Sequence, residues 1–214
     1  MKNTFDTIVI GAGMTGGWAA KEFTEKGFKT LLLERGRNIE HISDYPTSNL
    51  QPWEFKHRGR LTAKEIEENP VASSCYAFRE DSKHFFVKDK DHPYNQIKPF
   101  DWIRGYQVGG KSIMWARQVQ RWSPYDFEGP ARDGFAVDWP IRYKDLDDWY
   151  SYVERFVGVS GNKDGLDILP DGEFLKPWES NIVEEYFSQQ MKKFYKDRHV
   201  IYGRCAHLTE SKPI

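Results

Sequence analysis

The sequence predicts an α/β chain, and three observations near its start carry that prediction. Ile8 to Ile10 is a short, β-branched apolar run without polar alternation, the pattern of a strand buried on both faces. Gly11-x-Gly13-x-x-Gly16 follows at once, and Gly17 to Lys26 then carries Ala19, Ala20 and Phe23 at helical spacing before Gly27 stops the helix. Thr30 to Leu33 reads as a second buried strand, ending on Glu34. Strand, glycine turn, helix and strand make one parallel βαβ unit.

Each part has a physical job in holding a dinucleotide. Gly11 permits the tight turn, Gly13 lets the backbone approach a pyrophosphate, and Gly16 lets the helix pack close to the strand. Free N–H groups in the first helical turn face the phosphates, and the helix dipole favours their charge. Glu34 can accept hydrogen bonds from a ribose diol, and its charge argues against a 2′-phosphate. The bland reading is an empty turn that uses glycines for sharpness alone. Between NAD and FAD this unit does not choose.

With 214 residues the chain has room for one domain, or for one domain and part of a second. Lys and Arg number 31 against 32 Asp and Glu, a balance that points to neither a nucleic-acid nor an anionic-membrane partner. Aromatic residues make up 15 % of the chain with 8 Trp, more than a core of this size needs, so many are expected at pockets or partner surfaces. Cys75 and Cys205 form no C-x-x-C pair and read as reduced thiols, with a single disulfide as the alternative. No metal-binding spacing is present: His41, His57, His84 and His92 read as surface or packing residues. No signal peptide precedes the first strand and no apolar run reaches membrane-spanning length, so a cytoplasmic protein is expected.

After Gly36 the pattern becomes irregular to Pro99, with Pro46, Pro52, Pro70 and Pro93 scattered through it, as in a lid or excursion. Thr62 to Glu68 is its one helical candidate, His84 to Val87 reads as a strand, and Lys88 to Pro93 as a solvated turn. In Trp102 to Trp115, the adjacent Gly109 and Gly110 permit close backbone approach to a flat ligand. The alternative there is a glycine loop entering a buried strand, Ile113 to Ala116.

The opening unit with Glu34-Arg35-Gly36, then Val108-Gly109-Gly110-Lys111-Ser112-Ile113-Met114-Trp115, then Ser123-Pro124-Tyr125-Asp126-Phe127, then Asp138-Trp139-Pro140-Ile141 and Tyr143-Lys144-Asp145-Leu146 together resemble the glucose–methanol–choline (GMC) oxidoreductases. The tryptophan after the glycine segment is most similar to the branch of pyranose oxidase and the sugar dehydrogenase flavoproteins. The resemblance spans residues 4 to about 161. It implies a Rossmann-like FAD-binding fold of GMC type, incomplete at the C-terminus, with an irregular excursion and the start of a substrate domain. It also implies FAD, held without a covalent bond, and hydride transfer from a CH–OH group of an alcohol or sugar.

By position, the resemblance assigns Gly11, Gly13, Met14, Thr15 and Gly16 to the pyrophosphate and Glu34, followed by Arg35, to the adenosine end. Val108, Gly109, Gly110, Ser112, Met114 and Trp115 would lie along the flavin and its ribityl chain. Two positions depart from the family: Lys111 stands where many members carry a small residue, and Met114 where the nearest branch has its flavin-linking histidine. The implied domains are 1–36 (βαβ unit), 37–98 (excursion), 99–161 (continuation of the FAD-binding fold) and 162–214 (start of the substrate domain).

Residues 140–157 read as an amphipathic helix with Leu146, Trp149, Tyr150, Val153 and Phe156 inward. Ile182 to Tyr195 reads as another, with Ile182, Val183, Tyr186, Phe187, Met191 and Phe194 inward, and Arg198 to Arg204 as a strand. The family's catalytic histidine is expected downstream of Ile214, so the catalytic base is unknown, and His199 and His207 lie outside its motif context. The chain then corresponds to the N-terminal portion of such an enzyme, completed by a C-terminal half or a partner subunit. The alternative is a non-catalytic nucleotide-binding or partner-binding module.

Overall fold

The computed structural model describes residues 4–211 and divides the chain into two units, Met1–Trp115 and Ala116–Ile214. Together they are mixed α and β.

In the first unit, β1 (Thr7–Ile10) and β2 (Thr30–Leu33) pair in parallel, Thr7 opposite Thr30 and Ile10 opposite Leu33. The helix between them, α1 (Met14–Glu25), begins one turn earlier than its apolar spacing suggests. It ends as expected: Gly27 takes φ +86 and its N–H bonds back to Thr24 O at 3.0 Å. The strands depart from expectation in their burial. Val9 is covered, but Ile8 and Ile10 are 59 % and 85 % exposed. Helix α1 covers one face of the pair, and no described element covers the other.

The excursion is a series of turns around a small apolar cluster of Ala72, Phe78 and Phe86, flanked by Leu61, Cys75, Ala77, Ile103 and Met114. Helix α2 (Ala63–Glu68) forms where expected, started by a reciprocal cap between Thr62 and Glu65. Lys83 and Thr62 hold the Glu65 carboxyl down at about 2. The strand expected at His84 to Val87 is instead a tight turn, Lys83–Phe85. A strand would send Phe85 and Phe86 to opposite faces, whereas the turn buries both with Val87. The turn at Lys88 to Pro93 is present, and the Asp89 carboxylate within it accepts from the N–H groups of Val71 and Ala72.

The second unit holds α3 (Pro124–Asp133), α4 (Tyr143–Val157), α5 (Ile182–Phe194) and an antiparallel pair, β3 (Val159–Ser160) with β4 (Cys205–Ala206). The strand expected over Arg198 to Arg204 does not form: that stretch is irregular, and ladder pairing begins only beyond it, at Cys205 and Ala206 of β4. Helix α4 forms as expected, but its stripe holds only in part: Leu146, Tyr150 and Val153 are half-buried. Trp149 and Phe156 are 60 % and 50 % exposed, while the one buried side chain of α4 is Glu154. Arg121 explains this. Its guanidinium donates to both Glu154 oxygens, at 2.8 and 2.6 Å, and to Tyr143 Oη, Ser151 Oγ and Asp147. Apolar periodicity does not register a buried ion pair. A second buried arginine, Arg204, ties Asp164 and Asp171 with the carbonyls of Leu169 and Pro170. The apolar face expected to be inward on α5 is open, with Ile182 81 % and Phe194 68 % exposed. No described segment covers that face.

Candidate dinucleotide site

The glycine loop leaves β1 through Gly11, whose φ of +92 a side chain would strain and whose N–H extends the parallel ladder to Leu33 O at 2.7 Å. Gly16 sits where no side chain fits: a Cβ there would lie 1.8 Å from Gly11 O. Gly13 is different. It precedes α1 with extended backbone, and a Cβ would meet nothing within 4 Å, so the space before the helix is open. Helix α1 has neither a side-chain cap nor an acid in its first turn. Its leading N–H groups at Met14, Thr15 and Gly16 precede the first intrahelical bond, Gly17 N–H to Gly13 O at 2.8 Å.

Glu34 closes the loop from the side. Its Oε2 accepts from Ala12 N–H at 2.7 Å and its Oε1 from Gly36 N–H at 2.8 Å. These bonds, Ala12 first, hold its carboxyl below the usual range. Each oxygen keeps a second acceptor position. Gly36 allows another close approach: a Cβ there would fall 2.1 Å from Tyr106 O. Beside it Arg37 bridges Gln107 in parallel, and Val108 N–H bonds Arg37 O at 3.0 Å.

That bridge delivers the second glycine segment to the first. Gly109 (φ +91) donates to Ala12 O at 2.9 Å, and a Cβ on Gly110 (φ +53) would lie 3.2 Å from the Gly13 Cα. The two positive φ angles curl Gly110–Ile113 into a tight turn, which replaces the strand considered for Ile113 to Ala116. Ser112 Oγ donates to Gly109 O at 2.5 Å. Gly11, Gly13, Met14, Gly16, Glu34, Gly109, Gly110 and Ser112 therefore gather around one loop. The Arg35 guanidinium sits over the Tyr106 ring, its Cζ 3.8 Å from the centroid, and Val108 and Trp115 are partly exposed.

No family model matches the chain. Among curated proteins it is 28 % identical over 180 residues to the fructose dehydrogenase large subunit of Gluconobacter japonicus, covering 81 % of this chain and 30 % of that protein. It is 25 % identical over 171 residues to the gluconate 2-dehydrogenase flavoprotein of Pantoea cypripedii, covering 73 % of this chain and 26 % of that one. At this modest identity and partial coverage, these similarities point to the GMC-type flavin oxidoreductases. It spans under a third of the length of these relatives. A solved structure, pyridoxine 4-oxidase from Mesorbium loti, aligns over 69 % of this chain and 24 % of its own, at 18 % identity and a TM-score of 0.36, too low to bear on the fold.

The two departures from the GMC pattern sit differently. Lys111 is exposed on the tight turn. Met114 turns inward against the Phe78 and Phe86 cluster, where its Sδ accepts from Gln107 Nε2 at 3.3 Å. Gln107, 4 % exposed, also donates to Gly110 O at 3.2 Å, so it braces the second glycine segment from below. The sequence reading missed Gln107 and Ala12, since neither residue type has a signature at such a position. It quoted Gly36 without giving it a role, although a lone glycine just past a strand signals close backbone approach.

Proposed function

We propose that this chain is the FAD-binding N-terminal portion of an oxidoreductase acting on CH–OH groups of an alcohol or sugar, with a Rossmann-like FAD-binding fold. The observation that carries the reading is the seating of Gly109 and Gly110 on the Gly11–Gly13 loop, which brings two sequence-distant glycine motifs to one open helix N-terminus. The residues fit the group. Space in front of Gly13 is free, and the leading amides of α1 have no acid to compete with an anion. Gly11, Gly13, Met14, Thr15 and Gly16 would hold the pyrophosphate, and Glu34 would use its remaining acceptor positions for the ribose. Arg35 would flank the adenine end, and Val108, Gly109, Gly110, Ser112, Met114 and Trp115 the flavin end.

The bound flavin supplies the hydride acceptor, while the protein contributes position and electrostatics. Among the described residues this chain offers the cradle and no assigned base. A C-terminal half or partner subunit would supply that base and close the open face of β1. The names of the relatives, a fructose and a gluconate dehydrogenase, support a polyhydroxylated substrate. The domain limits we propose remain 1–36, 37–98, 99–161 and 162–214.

Titration of the purified chain with FAD, followed by absorbance and flavin fluorescence, tests this reading. Uptake is expected, and acid denaturation followed by filtration should release all the colour, because Met114 offers a thioether where attachment needs an imidazole nitrogen. A chain that stays colourless and takes up no FAD would defeat the proposal.

A further inference from the structure

Both carboxylate oxygens of Glu34 are engaged within the chain. Its two oxygens hold two backbone amides from different turns, Ala12 on the glycine loop and Gly36 past the end of β2. Both turns carry other segments. The Ala12 carbonyl takes the Gly109 N–H, and Gly36 is pressed against the Tyr106 carbonyl so closely that no Cβ fits. Ala12 is itself 8 % exposed, so water is a poor substitute partner for its amide. One side chain therefore joins the first glycine loop, the end of β2 and the segment that bears the second glycine pair.

We infer that Glu34 is a positioning residue: its carboxylate holds the glycine loop in its phosphate-facing shape through Ala12 and Gly36, beyond any contact with a ribose. The ligand arm of the test rests on the FAD reading, whereas the shape of the loop is read without ligand. Carboxylate chemistry is required because both amides donate and two oxygens can accept from both. Glutamine has one acceptor oxygen and one donor nitrogen, so it satisfies one amide and opposes the other. The depressed carboxyl of Glu34 is consistent with this, since the charged form is the one both amides stabilise.

Glu34→Gln is examined first in the absence of ligand, by amide hydrogen exchange resolved at Ala12 and Gly36. At least one of the two amides should exchange tenfold faster or more, while the Val9 amide in β1 keeps its protection. The same variant is then titrated with ADP and with 2′,3′-dideoxy-ADP, which has no diol to contact. Both should weaken by a similar factor, tenfold or more. Unchanged exchange at both amides, or weakening confined to ADP, would overturn the inference and leave Glu34 a ribose contact alone. If the wild-type chain binds neither nucleotide, faster exchange in the variant still supports the positioning role while the FAD reading fails. Should Glu34→Gln not fold, the wild-type chain serves: protection factors at Ala12 and Gly36 are expected to fall as acid protonates the carboxylate, and values constant down to acid unfolding would contradict the inference.

Discussion

The start of α1 and the starts of the other helices solve the same problem in opposite ways. Every helix leaves its first amides without intrahelical partners. Ahead of α2, α3, α4 and α5 an acid three residues into the helix, Glu65, Asp126, Asp145 or Glu184, accepts the N–H of the residue before it, at 2.7 to 2.9 Å. At α1 those places are taken by Gly13 and Gly16, and no side chain answers the amides. The Arg121 nest of the second unit extends the contrast, for there all the guanidinium nitrogens find partners among Glu154, Asp147, Tyr143 and Ser151. At these helix starts and in the Arg121 nest the polar groups are satisfied internally. They are left open at the place read as an anion site.

The largest effect expected from breaking this contrast is on the satisfied side. Arg121→Met leaves Glu154, whose side chain is 4 % exposed, as an uncompensated buried charge. We expect a loss of about 3–5 kcal/mol, measured by denaturant unfolding of the chain. A loss under about 1 kcal/mol would mean that water reaches Glu154 once the arginine is gone.

A smaller effect is expected at a capped helix. Asn181 Oδ1 accepts from the N–H groups of Val183 and Glu184 at 3.0 and 3.1 Å. Asn181→Ala should cost about 1 kcal/mol in the same assay. Because α5 buries none of its residues, that cost should appear as fraying of α5 in hydrogen exchange before global unfolding.

The elements legible in the sequence were those marked by their own punctuation. β1, α1 and β2 are bounded by glycines at positions that demand them, and α2 by the Thr62 and Glu65 pair. Helix α3 was equally marked, by Ser123 before Pro124 with Asp126 three residues on, and was read only as part of a family motif. Elements that failed depended on neighbours. Phe85, Phe86 and Val87 are buried together by a turn, so an apolar run there had no sheet to join. In α4 the most buried position went to Glu154, partnered by an arginine distant in sequence, and a residue's own helix cannot reveal that. The gathering of both glycine motifs was implied by the family resemblance, but the agents that hold them together, Ala12, Gly36 and Gln107, were not.

In the proposed function α1 is left uncapped to receive an anion, and Gly13→Asp tests this most directly. A Cβ at this position meets nothing within 4 Å, and φ of −74 suits any residue, so the backbone and the first side-chain carbon are accommodated without strain. Aspartate is a good N-cap, so the chain should keep its stability or gain a few tenths of a kcal/mol, roughly the difference between aspartate and glycine at such a position. The same carboxylate occupies the open amides and repels a pyrophosphate, so FAD uptake should be lost in titration while the unfolding midpoint holds or rises. Undiminished uptake in a stably folded Gly13→Asp chain would contradict the account.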